Sequence, residues 1–233
     1  MSFVEYHFVT QPPLPPYRSA LYDYLVGANG VFLRSRREGL EVVLPVAPAE
    51  IRGLVPVEPT VVFTYPRVPA ALVQYILDQA LAAHDSQGRS VEMLFHLTFR
   101  RDHWILSIPE QIQTAASVTL LDDGPSSSHA TALIEVHSHH DMHAFFSHTD
   151  DRDERIGFRI NAVLGRIFTR PEVLVRVNCE GIHQILPATH VFDLPETIID
   201  ASLTWTDEGE EEPDTALQKN LLQSHAEEGE KHE

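Results

Sequence analysis

The chain has 233 residues, 43% of them hydrophobic, enough for one good-sized domain or for one domain with a smaller addition. Its formal net charge of −17 argues against a nucleic-acid partner, whose phosphates require a basic surface. One cysteine, Cys179, excludes an internal disulfide, no apolar run is long enough for a membrane span, and the N-terminus lacks a basic segment followed by an apolar one. The expectation is a soluble, cytoplasmic protein.

Residues 1–65 read as a β-rich N-terminal extension. Gln11-Pro12-Pro13-Leu14-Pro15-Pro16-Tyr17 is polyproline-like, either an arm lying on its own protein or a ligand for another one. The apolar runs 31–33, preceded by Gly27-Ala28-Asn29-Gly30, 40–46, preceded by Arg36-Arg37-Glu38-Gly39, and 61–63 predict two or three strands with no evident chemistry. Pro69 then opens a helix whose apolar stripe is Leu72, Val73, Ile76, Ala80 and Leu81. Two strands follow, 91–99 and 104–108, joined at Arg100-Arg101-Asp102-His103; in the first, Glu92, Leu94, His96 and Thr98 share a face. A serine- and glycine-rich loop, 122–129, precedes the apolar run 132–136.

That run reads as a buried strand leading into Glu135-Val136-His137-Ser138-His139-His140-Asp141-Met142-His143-Ala144-Phe145-Phe146-Ser147-His148-Thr149-Asp150-Asp151, which holds five histidines. Residues two apart on a strand project to the same side, so His137 and His139 can grip one ion together. Asp150 supplies a third ligand from the next turn or helix start. Three protein ligands leave the fourth tetrahedral position for water, the layout of a catalytic zinc site. Strands at 156–167, 172–177 and 182–186, with a hairpin turn at Asn178-Cys179-Glu180-Gly181, complete a sheet behind the site. Residues 207–233 hold ten acidic residues against two lysines; the segment 201–233 is read as a disordered acidic tail, or alternatively as a dock for a basic partner.

His137-Ser138-His139, seven residues, Ser147, two residues and Asp150 resemble the JAMM motif of the JAB/MPN metalloprotease family. The resemblance covers roughly residues 68–190, a typical domain's length. It implies an α/β fold, a JAB/MPN-like mixed sheet flanked by helices over residues 66–200, with Zn2+ held by His137, His139 and Asp150. It also implies hydrolysis of a peptide or isopeptide bond beside a ubiquitin-like tail. Ser147 would donate to the oxyanion and Glu92 would be the general base. Glu135, on the ligand side of its strand, is the rival for that role. Where the family often has glycine and proline, this chain has Phe95 and His140. The whole-chain layout also resembles the PRTRC system protein A group, which implies a ubiquitin-like protein substrate and a ThiF-type adenylating partner.

Other readings stay open. His140, His143 and His148 form either a second metal site or a histidine-rich loop. His129, His183 and His190 read as surface or satisfied core histidines, and Cys179 as an inert thiol. A non-catalytic interaction scaffold, or a hydrolase of a small-molecule amide, are the competing functions.

Overall fold

A computed structural model, describing residues 2–203, is mixed α/β with strands predominating. The N-terminal sheet contains β1 (Val4–Phe8), β2 (Tyr22–Gly27), β3 (Gly30–Arg37), β4 (Leu40–Pro48) and β5 (Thr60–Phe63), in that spatial order. Helix α1 (Ala70–Ala82) follows, then β6 (Leu94–Arg100), β7 (His103–Ser107) and a small ribbon of β8 (Gln111–Gln113) and β9 (Val118–Leu120). After the four-residue helix α2 (Ser128–Thr131) come β10 (Ile134–His139), helix α3 (His148–Asp153), β11 (Phe158–Gly165), β12 (Glu172–Cys179), β13 (Ile182–Leu186) and the two-residue β14 (Ile199–Asp200). The second sheet runs β13-β12-β11-β10-β6-β7, with β14 beside β12.

Two or three N-terminal strands were expected, and five are present. The difference lies in β1 and β2. Asp23 sits on β2 fully buried, gripped by Arg34 of β3 and by Ser19, so a charge stands where alternation of polar and apolar residues requires an apolar side chain. Arg34 is its counter-ion. Among the described residues the flanking helices reduce to one of any length. Pro69 caps α1 in extended conformation, and Val73, Ile76, Leu77 and Ala80 are its buried face. Leu72 and Leu81, expected in the stripe, lie partly buried at its margins.

The core lies between the helix and both sheets. Leu33, Leu40, Val42 and Leu44 from the first sheet join Phe95, Leu97, Ile134, Val136, Ile160, Ala162, Leu164, Val175 and Val177 from the second. Phe63, Tyr65, Phe99 and Trp104 stack across the junction, with Tyr65 and Phe99 centroids 4.2 Å apart. Ala201–Leu203, the first residues of the expected tail, form a short turn in the same unit as the rest of the described chain; the remainder of that tail lies outside the described residues.

Two tight hairpins follow from local chemistry. Arg101 and Asp102 both take positive φ, 51° and 63°, as the two-residue loop between β6 and β7 requires. Glu180 and Gly181 do the same between β12 and β13, so Asn178 and Cys179 of the expected turn belong to the strand. The pairing that matters most is β10 with β11, which is parallel. Parallel neighbours need a crossover. The chain therefore leaves the sheet at the end of β10, just past His139, and carries residues 140–157 over the sheet before returning. This crossover brings α3 back to the end of the strand.

Candidate metal centre

On β10, Ile134 and Val136 face the core, so Glu135, His137 and His139 face the other side. Beside them in register are Asn161, Val163 and Gly165 of β11. His137 and His139 are nearly inaccessible, with Nε2 atoms 3.1 Å apart. Asp150 lies in the first turn of α3, and its Oδ1 is 3.5 Å from His137 Nε2. Ligand atoms bound tetrahedrally at about 2.0–2.1 Å stand about 3.3 Å apart. The three expected ligands are thus brought together, their ligand atoms all within 4.8 Å of one another, as a group that could hold one metal ion.

The protonation of His139 fits as well. Burial, reinforced by the neighbouring His137, lowers His139 to about 3, so its imidazole is neutral and offers a lone pair. Phe145 packs edge-on against the His139 ring, with centroids 4.8 Å apart.

Ser147 is the N-cap of α3. Its hydroxyl donates to Asp150 Oδ2 (2.7 Å) and accepts from the Asp150 amide (3.2 Å), while its own amide donates to that carboxylate oxygen at 2.6 Å. The reciprocal bonds of this capping box orient the Asp150 carboxylate. Spacing of three between serine and aspartate has a local cause: both belong to one helix start.

Glu92 precedes β6 rather than lying within it, yet it is 4% exposed and close enough to Asp150 to feel its charge. Burial first, and then the Asp150 carboxylate, raise it to about 7. Its backbone is fixed by the β8–β9 ribbon: its amide donates to the Thr114 carbonyl at 2.8 Å, and its carbonyl accepts from Gln113 Nε2 at 2.9 Å. Gln111 does the same for Leu94, with bonds of 2.8 and 3.2 Å. These glutamines escape sequence reading, because nothing in a polar three-residue strand shows which backbone it will serve.

Glu135 is engaged elsewhere. Its Oε2 lies 3.0 Å from Arg159 Nη1 and 3.2 Å from both His96 Nε2 and His129 Nδ1. Burial works to raise its pKa, but the hydrogen bonds from His129 and His96 and the charge of Arg159 outweigh it and hold the carboxyl well below the usual carboxylate range. His96, Glu135 and His129 have the donor types of a metal site. However, Arg159 also lies 2.9 Å from His129 Nδ1, so a guanidinium already fills the cation's place. The same holds for Glu5, His7 and Asp23, where Arg34 takes the carboxylate.

His140, His143 and His148 do not converge among the described residues: His140 is buried near Phe168, and the other two are exposed. His183 is half-buried near Asp151 and Glu154, and His190 is exposed. Cys179 is buried, its thiol pushed up to about 12 by burial, which suits an inert side chain. Among the described residues no helix is long and apolar enough to cross a membrane. No family model matches this chain, and no curated protein matches it either.

Proposed function

We propose that the protein is a zinc-dependent hydrolase of the JAMM type, on a JAB/MPN-like fold, cleaving a peptide or isopeptide bond. One observation carries the reading: a buried carboxylate, Glu92, stands within electrostatic reach of Asp150 in the triad His137, His139 and Asp150, with its pKa raised to about 7. A zinc ion held there would supply Lewis acidity and bring a bound water's pKa to roughly 7. A carboxylate titrating near neutrality is suited to take a proton from water and return it to a leaving amine.

Ser147 is the oxyanion donor at hand. Asp150 Oδ2 accepts from both the Ser147 amide and hydroxyl, so the amide keeps the carboxylate in place when the hydroxyl turns to a substrate oxygen. Losing such a donor costs on the order of a hundredfold or more in rate. The family resemblance extends the proposal to a ubiquitin-like tail as substrate and a ThiF-type enzyme as partner.

The competing scaffold reading gains if Glu135 is tied up and Glu92 lies far from the ligands. Glu135 is paired with Arg159, whereas Glu92 is near enough to Asp150 to feel its charge, which supports the hydrolase reading. The test is bound zinc by elemental analysis for wild type and His139→Ala, followed by hydrolysis of a ubiquitin-like protein fused through its C-terminus to a reporter. Near-stoichiometric zinc lost in the variant, with cleavage abolished by Glu92→Gln, is expected. A chain that neither carries nor takes up zinc would sink the hydrolase reading.

A further inference from the structure

Helix α3 carries Asp150 but has little of its own to keep it in place. It has six residues, far below the roughly 12–15 at which isolated helices become even marginal in water, and none of the six is buried. The capping box orders its first turn without attaching it to the sheet.

The attachment comes from β12. Arg176 is 5% exposed, and its Nη1 donates to Asp151 Oδ1 at 2.7 Å while its Nε donates to Glu154 Oε2 at 2.8 Å. Its guanidinium lies over the Phe146 ring, 3.9 Å from the centroid. One side chain thus touches the residue before the N-cap, the neighbour of the ligand and the residue that ends the helix. Asn178, two residues along the same strand, donates to the Glu154 carbonyl at 2.7 Å. Arg176 pairs in register with Asn161, which pairs with Glu135, so the clamp is referred through two strand pairings to the strand bearing His137 and His139.

We propose that Arg176 is a positioning residue for the metal centre, holding α3 so that Asp150 meets the two histidines at ligand spacing. What Asp150 does there rests on the zinc reading above; the holding of α3 does not. The chemistry requires arginine: a planar guanidinium reaches two carboxylates and an aromatic face at once, whereas a lysine ammonium is a point charge that can satisfy one of them.

The test measures zinc affinity of the full chain by competition with a chromophoric chelator, in wild type, Asp150→Ala, Arg176→Lys and the double variant. Arg176→Lys should weaken zinc about 10–100-fold, the usual range for residues that support ligands. The double variant should bind no more weakly than Asp150→Ala alone, because Arg176 acts through Asp150. A general loss of structure would instead make the two losses add, and that outcome overturns the proposal, as does wild-type affinity in Arg176→Lys. Glu154→Gln approaches the clamp from the helix side and should weaken zinc in the same direction, which keeps the test valid if Arg176→Lys folds poorly. Amide hydrogen exchange on the metal-free chains separates the two readings: protection over 148–154 should fall in Arg176→Lys with β10 and β11 unchanged. If wild type takes up no zinc, the hydrolase reading falls, and unchanged protection in this arm would overturn the clamp as well.

Discussion

Ser138 holds Met93 by both of its main-chain atoms: the Met93 amide donates to Ser138 Oγ at 3.0 Å, and the Ser138 amide donates to the Met93 carbonyl at 3.1 Å. Ser138 lies between the two ligand histidines on the core-facing side of β10 and is fully buried. Met93 is the residue after Glu92. The strand bearing His137 and His139 and the segment bearing Glu92 are therefore linked at one partly buried point, and Ser138→Ala would leave the Met93 amide without its partner. A buried donor left unpaired costs about 1–3 kcal/mol. Urea unfolding of Ser138→Ala should show a loss of that size, with zinc content preserved because both histidines remain. Wild-type stability would show that the bond contributes nothing.

Glu92 should destabilise the metal-free protein at neutral pH. Its folded pKa, about 7, lies above the ordinary carboxylate value of 4.5, so the folded state binds its proton more tightly than the unfolded one does. Stability from this group is fully present below about 4.5 and is lost as pH rises through about 7. Glu92→Gln, neutral at every pH, should melt several degrees above wild type at pH 8, since 1 kcal/mol moves a chain of this size by roughly 2–4 °C. The gap should close at pH 4–5. Thermal unfolding of both chains with a chelator present measures it, and a gap independent of pH would contradict the raised pKa.

Gly165 should tolerate no side chain. It ends β11 opposite His139, and a Cβ there would lie 2.2 Å from the Ala144 amide nitrogen and 2.5 Å from the His143 carbonyl carbon. Both are backbone atoms and cannot rotate away. The loop they belong to continues directly into Phe145, which packs on His139, and into the cap Ser147. Gly165→Ala should displace this loop and lower zinc affinity tenfold or more, while Gly124→Ala, which meets only the Asp122 side chain, should bind as wild type. Chelator competition on the two variants decides it.

The candidate ligand group was legible because each part of it is local. A period of two puts His137 and His139 on one side of a strand, and a serine three residues before an aspartate is a helix start. Parallel pairing of β10 with β11, which returns that helix start to the strand end, has no local signature. Glu92 was singled out only through the family resemblance; its raised pKa depends on burial, and its backbone is held by a ribbon whose partner residues a sequence does not declare. His96 lies opposite Glu135 and bonds to it, a register set by the pairing of β6 with β10 that the sequence does not show. Arg176 could not be found, since its relation to Asp150 passes through the pairing of three strands. The buried Asp23 hid β2 for a different reason: a charge paired in three dimensions looks in sequence like a surface residue.

The two glutamates can be separated by what each variant loses. Glu135 is ion-paired to Arg159 and accepts from two histidines, so Glu135→Gln leaves the partly buried cation short of its partner, at a cost of about 1–3 kcal/mol. Its pKa is depressed, so its stabilisation is present above about 4.5 and disappears as pH falls through the folded value. Glu135→Gln should therefore melt well below wild type at pH 7, with the difference shrinking in acid, while turnover per folded, zinc-loaded molecule stays within a few-fold. Glu92→Gln should do the reverse, giving a more stable metal-free protein at pH 8 whose zinc-loaded form does not turn over. Paired thermal and single-turnover measurements on the two variants distinguish base from brace. If Glu135→Gln is the one that folds normally and loses turnover, the base has been assigned to the wrong glutamate, and the Arg159 pair must open when substrate binds.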